Sequence, residues 1–483
     1  MKPTNEKKKI VYIVGLIAIA VVSALLMITV LLGDFSIRDF LESSIRTEMI
    51  YLLLVIAILL PLMMLLLAVA LQVENKRGTK PQRLDAGDVI ISSPSGKTVL
   101  KNSAEPSDEA ANTEETAQDG EEYGSGRFCK LCNLDQIKGS IQRDNYDEYI
   151  TLRQFCENFR NYAASKLKLY YDISDIRRFV AGMAVSKILI LQGMSGTGKT
   201  SLAHAFGDFV DNPSTVIPVQ PMWKERTDLI GYYNEFTKRF NETTLLEKMY
   251  EANYSKDIYI TVMDEMNIAR VEYYFAEFLS LLELPNADER MLTVVSDVWD
   301  DDPIQLENGC VRLPPNMWFI GTANNDDSTF AISDKVYDRA MIMNLDSKAE
   351  PFVAPKTLNT RISAEQFEKL AEQAMREYEV TSRNLNRIEE LDKYLIEHFQ
   401  ITFGNRIMKQ IKNYIPVYVA CGGDELEALD DILSKKVLRK LEMQNPIYLR
   451  SASAGLSAYL DELFGYDRMP LCKAFMARLQ RTI

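Results

Sequence analysis

The distribution of apolar and polar positions divides the chain near residue 128. Ahead of that point stand two long uncharged runs. Residues 10–32 are 23 positions without a charge; as a helix they rise about 34 Å, enough for a hydrocarbon core of about 30 Å. Residues 49–73 are a second uncharged run of 25, with Pro61 inside it. A proline is tolerated in a lipid-embedded helix when neighbouring groups satisfy the freed carbonyl. The first run exceeds the apolar core of a usual cleaved signal peptide, and a second run follows at once, so the pattern predicts a transmembrane helical hairpin over 1–74. Lys2, Lys7, Lys8 and Lys9 precede the first run, and Lys76, Arg77, Lys80 and Arg83 follow the second. The connection, 33–48, carries Asp34, Asp39, Glu42 and Glu48 against two arginines. Positive flanks stay inside, which predicts a two-pass cell-membrane protein in contact with the lipid bilayer, with both termini in the cytoplasm.

Residues 75–127 are rich in Ser, Ala, Gly and acids and nearly free of large apolar side chains. Such a stretch buries too little surface to offset its ordering entropy and predicts a disordered acidic linker. Beyond it the patterning is that of a folded domain. Leu152, Phe155, Phe159 and Tyr162 recur at three- and four-residue steps, predicting a helix within a helical brace over 128–185, with a docking module as the alternative. Short apolar runs at 186–192, 258–263, 317–321 and 340–345 read as buried parallel strands of a core over 186–347. Amphipathic patterns at 363–380, 386–400 and 424–444 predict an α-helical lid and carboxyl-terminal extension over 348–483. The fold class expected is α/β, a parallel sheet between helices, preceded by the two membrane helices.

Composition removes several kinds of chemistry. The net charge of −13 argues against a broad nucleic-acid surface, though not against a local basic groove. Two histidines, His204 and His398, leave no material for a histidine-rich metal site or a Ser-His-Asp machine, and six cysteines in 483 residues are no disulfide framework. Cys129 and Cys132 have no matching second pair, so they read as small apolar residues at a helix start, with an intersubunit metal site as the alternative. His204 reads as a packing residue.

The sharpest motif is GMSGTGKT at 193–200, between the strand 186–192 and a helix that begins near Ser201. Its spacing is that of a phosphate-binding loop. Main-chain N–H groups of Gly193, Met194, Ser195, Gly196, Thr197 and Gly198 and the helix start at Ser201 would cradle ATP phosphates. Lys199 would reach the outer phosphates, and the Thr200 hydroxyl would hold Mg²⁺. About 65 residues on, the strand 258–263 ends in Asp264 and Glu265. Asp264 is the expected second holder of Mg²⁺, and Glu265 the base that activates water. Asn324 stands past the end of the third strand, where an amide can align water or bind the γ-phosphate. Arg339, just before the run 340–345, is expected to act in trans on a neighbouring subunit's nucleotide; a local ion pair with Asp338 or Asp334 is the alternative.

This order of motifs resembles AAA+ ATPases, and more finely the McrB-like branch with its dynein-related and MoxR-type relatives. The segments that carry the resemblance are GMSGTGKTSL, VQPMWKERTDLIGYYNE, VMDEMNIARVEYYFAEFLSLLE and LPPNMWFIGTANNDDSTFAISDKVYDRA, within about 172–440. The resemblance implies a hexameric ring, a helical lid, an insertion around the second helix, and a hairpin in 298–316. It also implies that Arg406, in FGNRIMKQI, senses bound nucleotide. Where guanine-nucleotide members carry Met-Asn-Thr-Ala-Asp this chain has ANNDD, which favours ATP. Trp223, Lys224, Glu225 and Arg226 are expected at an intersubunit or threaded-substrate surface. The function implied is a membrane-anchored ATPase that remodels a protein partner. The alternatives are a GTP- or ATP-driven nucleic-acid motor of a defence system and a scaffold assembled by nucleotide without hydrolysis.

Overall fold

The computed structural model describes residues 126–482, apart from 148, 325–328 and 347. The two uncharged runs and nearly all of the acidic linker lie outside the described residues. Among the described residues, no helix is long and apolar enough to cross a membrane.

Three helices come first: α1 (Lys130–Ile141), α2 (Leu152–Leu167) and α3 (Ile173–Val185). The boundary of α2 is written locally. The Thr151 side chain accepts from the Gln154 N–H and the Gln154 side chain accepts in return from the Thr151 N–H, a reciprocal cap. Its apolar stripe then seats Phe155 and Phe159 against Phe206 and Phe209, side chains of α4 (Lys199–Phe209).

The centre is a five-stranded sheet in the order β2-β5-β8-β1-β9. Its strands are β1 (Ile188–Gln192), β2 (Thr215–Pro218), β5 (Tyr259–Asp264), β8 (Met317–Ala323) and β9 (Met341–Asn344), and every pairing is parallel. Successive side chains of a strand point to opposite faces. Leu189, Leu191, Ile260, Val262, Trp318 and Ile320 therefore share a core with α2, α3 and α4. Ile188, Ile190, Tyr259, Met263, Met317 and Phe319 join a second core with α5 (Thr244–Ala252) and α6 (Ala276–Leu281). Both faces are covered, which is why the strands read as near-continuous apolar runs.

Three boundaries differ from expectation. The strand expected to end at Gly321 continues through Ala323, because Thr322 is buried in the ladder. Strand β2 was not expected at all; TVIP has no alternation, and its proline is accommodated at the sheet edge. The late hairpin pairs β6 (Met291–Thr293) with β7 (Cys310–Arg312), so its first strand precedes the expected segment. The acids between them are instead drawn onto Arg127, which binds Asp302 at 2.7 and 2.8 Å and Asp297 at 3.1 Å. A further hairpin, β3 (Gly231–Asn234) and β4 (Arg239–Glu242), stands ahead of α5.

The carboxyl-terminal region is helical: α7 (Ala364–Glu377), α8 (Ser382–Phe399), α9 (Asn405–Ala420), α10 (Glu425–Ile432), α11 (Pro446–Phe464) and α12 (Pro470–Thr482). The amphipathic pattern at 424–444 is not one helix. After α10 the chain makes a π turn, Leu433–Val437, and a 3₁₀ stretch, Leu438–Met443. The cause is burial of Lys435 and Lys436, which a regular amphipathic helix would hold in solvent.

Candidate functional site

The loop 193–198 joins the end of β1 to the start of α4, so its main chain meets a helix N-terminus. Two of its glycines are required by geometry. Gly193 has φ of 144°, and a Cβ there would stand 2.2 Å from the Leu345 carbonyl oxygen. Gly198 has φ of 94°, with the Tyr171 ring against it. Tyr171 Oη donates to the Gly198 carbonyl at 3.2 Å. Burial pushes that phenol well above its ordinary value, so it remains a donor. Thr197 Oγ1 closes the turn on the Met194 carbonyl at 3.0 Å. Lys199 is buried, and its ammonium donates to the carbonyls of Gly193 and Met194 at 2.9 and 2.8 Å, which places a fixed positive charge inside the loop. Ser195 and Gly196 lie exposed at the loop's crest, and Ser201 is half-buried in the first turn of α4.

Strand β5 delivers the acids next to this loop. Asp264 Oδ1 accepts from Thr200 Oγ1 at 2.7 Å and from Thr322 Oγ1 at 2.8 Å. The Thr322 hydroxyl in turn accepts from the Glu265 N–H at 2.9 Å. Glu265 takes the left-handed conformation, φ 53° and ψ 46°, an arrangement that costs on the order of 1 kcal/mol for a residue with a Cβ. That twist ends the strand and turns the Glu265 carboxylate out of the sheet, where it is exposed. Asn324 Nδ2 stands 3.5 Å from Glu265 Oε1. The structure thus brings Lys199, Thr200, Asp264, Glu265 and Asn324 to one end of the sheet, the end at which strands β1, β5 and β8 finish.

A Mg²⁺–triphosphate fits this donor set. Positive-φ glycines at 193, 196 and 198 leave the loop's N–H groups free of side-chain cover, and one carboxylate with one hydroxyl suits an ion that takes its remaining ligands from phosphate and water. Thr200 and Asp264 are the residues that would hold the ion. Among the described residues there is no cluster of three or more His, Cys, Asp and Glu side chains placed to hold a metal by themselves. Burial, with Asp135, Glu242 and Asp301 nearby, pushes the Cys132 thiol up to about 11.

Arg339 and Arg406 meet on another carboxylate, that of Glu283. The Arg339 carbonyl accepts from Ser186 Oγ at 2.9 Å, and Ser186 precedes β1 whereas the loop follows it. Five residues at roughly 3.3 Å each put about 16 Å of strand between the two. Arg339 Nη2 pairs with Glu283 Oε2 at 2.7 Å. Arg406 pairs with the other oxygen of the same carboxylate. Arg406, expected to sense bound nucleotide, here shares a counter-ion with Arg339. The local partners weighed for Arg339, Asp338 and Asp334, are not the ones it takes; Asp334 pairs with Arg439.

One expectation is corrected here. His204 is exposed on α4 and shares a hydrogen bond with Ser214 at 2.9 Å rather than packing. In the segment 223–226, Trp223 packs edge-on against Tyr274 and Arg226 pairs with Glu277 at 3.0 Å, while Lys224 and Glu225 are exposed. Three residues were not anticipated. Thr322 carried one available signal, a hydroxyl in an otherwise apolar buried strand. Asn267 donates to the carbonyls of Asn324 and Phe330 at 2.9 and 3.3 Å, fixing the turn that holds Asn324. Glu283 gave no local signal, since both its partners are distant in sequence.

Two stretches of the chain match known protein families. Residues 188–340 match the AAA domain of the dynein-related subfamily. Residues 355–482, beyond this AAA domain, match a domain of unknown function, DUF8727. No curated protein matches the chain. Among solved structures, the chain is similar to a candidate ATPase of Cytophaga hutchinsonii, at 12% identity and TM-score 0.41, covering 68% of this chain and 95% of that one. It is also similar to a full-length MCM homolog of Methanopyrus kandleri, at 12% identity and TM-score 0.32, covering 58% of this chain and 59% of the other.

Proposed function

We propose that the chain is a membrane-anchored ATPase that hydrolyses Mg²⁺–ATP in a homo-oligomeric, hexameric ring and uses the work to remodel a protein partner. The observation that carries the reading is the single oxygen Asp264 Oδ1, which joins the Thr200 hydroxyl of the phosphate loop to the carboxyl end of β5. That contact aligns a metal-holding pair with Lys199 on one side and Glu265 on the other. Lys199 binds and orients the outer phosphates. Thr200 and Asp264 hold the ion, which when bound neutralises phosphate charge. Glu265 accepts the proton of the attacking water, and Asn324 orients that water. Arg339 serves a neighbouring subunit's site, since its own lies too far along the sheet. Two uncharged runs at 10–32 and 49–73 support anchoring in the cell membrane with both termini cytoplasmic.

The test is steady-state hydrolysis by the full chain beside a Glu265→Gln form. Turnover in the first and tight, unproductive ATP binding in the second is the expected pair. Equal release of phosphate from both would leave a scaffold, and GTP preference with stimulation by DNA would favour a nucleic-acid motor.

A further inference from the structure

The segment that carries Arg339 belongs to no strand or long helix, yet its main chain is held at every residue. The Tyr337 carbonyl accepts from Lys436 Nζ at 2.5 Å. The Asp338 carbonyl accepts from Gln410 Nε2 at 3.1 Å. The Arg339 carbonyl accepts from Ser186 Oγ at 2.9 Å. The Ala340 carbonyl accepts from Lys436 Nζ again. Three of these four bonds come from α9 and from the π turn after α10, that is, from the helical region 355–482 and not from the AAA domain. Lys436 is only 4% exposed. The π turn is what delivers it: five residues in an irregular winding set Lys435 on Asp431 and Lys436 on the Arg339 segment. Such single π turns are frequent at functional sites. A third cation, Arg439, lies over the Tyr337 ring at 3.6 Å and pairs with Asp334 at the start of the same segment.

Burial of a lysine is costly unless its charge is met. Here it is met chiefly by main-chain oxygens. Burial pushes the Lys436 ammonium down to about 7, with Asp338 opposing and Arg439, Arg406 and Lys440 adding to the descent. A methionine would fill the same space without that cost, so stability alone does not account for a lysine here.

We propose that Lys436 is a positioning residue for the trans-acting arginine: by gripping the carbonyls on either side of Asp338 and Arg339 it makes the carboxyl-terminal helical region, rather than the AAA domain alone, set where Arg339 meets the neighbouring subunit's nucleotide. The inference rests on the trans role given to Arg339 above. It assigns a task to the region of unknown function: movement of those helices is passed through Lys436 and Gln410 into the next subunit's site.

The experiment uses the full chain with Lys436→Met, Lys436→Arg and Gln410→Leu, beside Arg339→Ala and Glu265→Gln. A misplacement of about 1 Å at a catalytic group costs up to about a hundred-fold. Lys436→Met is expected to lower kcat about ten-fold or more while KM for ATP stays within about two-fold, and Lys436→Arg to restore part of the loss. Mixing Lys436→Met with Glu265→Gln subunits should raise turnover above the sum of the two, because the second supplies a correctly held Arg339 to the intact acids of the first. Should Lys436→Met not fold, Gln410→Leu in the same mixture decides, with a smaller loss and the same rescue. Full activity of both variants while Arg339→Ala is impaired overturns the proposal and leaves the trans arginine standing. Full activity of Arg339→Ala itself overturns both. Loss in Lys436→Met that no mixture rescues makes the lysine a fold determinant and overturns the positioning role.

Discussion

At the scale of single residues, the site is a chain of hydrogen bonds around one carboxylate. Lys199 fills the phosphate loop with its ammonium, and Lys199→Ala removes the only cation the loop itself provides. Affinity for a fluorescent ATP analogue should fall below detection; unchanged affinity would show that phosphate is bound elsewhere. Thr322 is subtler. Its hydroxyl donates to Asp264 and accepts from the Glu265 N–H, so it ties together the two acids of the proposed reaction. Thr322→Val keeps the shape and removes both bonds. Loss of one buried partner costs about 1–3 kcal/mol, so melting should shift down while kcat falls about ten-fold; a kcat equal to that of the parent would remove Thr322 from the positioning of either acid. The GMSGTGKT spacing and the Asp264–Glu265 pair were legible because both are short-range patterns tied to strand ends. Thr322, Asn267 and Glu283 were not, because each acts through contacts made only when distant segments meet.

At the scale of elements, the end of β8 and the turn after β5 are fitted to each other without slack. A Cβ on Gly321 would lie 1.9 Å from the Met266 sulfur, and Met266 directly follows Glu265. Gly321→Ala therefore has to displace the buried Met266 side chain, which belongs to the first residue of the 3₁₀ turn Met266–Ile268. Overpacking of this kind costs roughly 1–3 kcal/mol, and here the crowded residue is next in the chain to Glu265, the base of the proposed reaction. The expected outcome is a lower melting temperature together with a fall in kcat that cooling does not recover; a stable, fully active variant would mean that Met266 can swing aside without moving Glu265. Apolar runs bounded four of the five parallel strands to within a few residues, since a strand buried on both faces must be apolar throughout. They missed β2, an edge strand of four residues, and they misplaced the first strand of the late hairpin, where Arg127 and its acids override local pattern. The π turn was equally hidden, because buried lysines cannot be told from surface lysines in an amphipathic repeat.

At the scale of the whole molecule, the decisive quantity is the separation of Arg339 from the loop of its own chain. About 16 Å of strand lies between the Arg339 carbonyl and the loop, so the trans reading proposed above predicts that a complete site draws Arg339 from a second subunit. Arg339→Ala should then bind ATP nearly as tightly as the parent and turn over slowly. In a one-to-one mixture with Glu265→Gln, each defective alone, productive contacts arise only where an Arg339→Ala site faces a Glu265→Gln neighbour. Random assembly makes that about a quarter of all contacts in a closed ring, so turnover per subunit should recover toward about a quarter of the parent's. The mixing ratio sharpens the test, because recovery peaks at equal amounts and vanishes at either end. A mixture that never exceeds the sum of its parts would place Arg339 outside every neighbour's site and leave the pairing with Glu283 as its whole role.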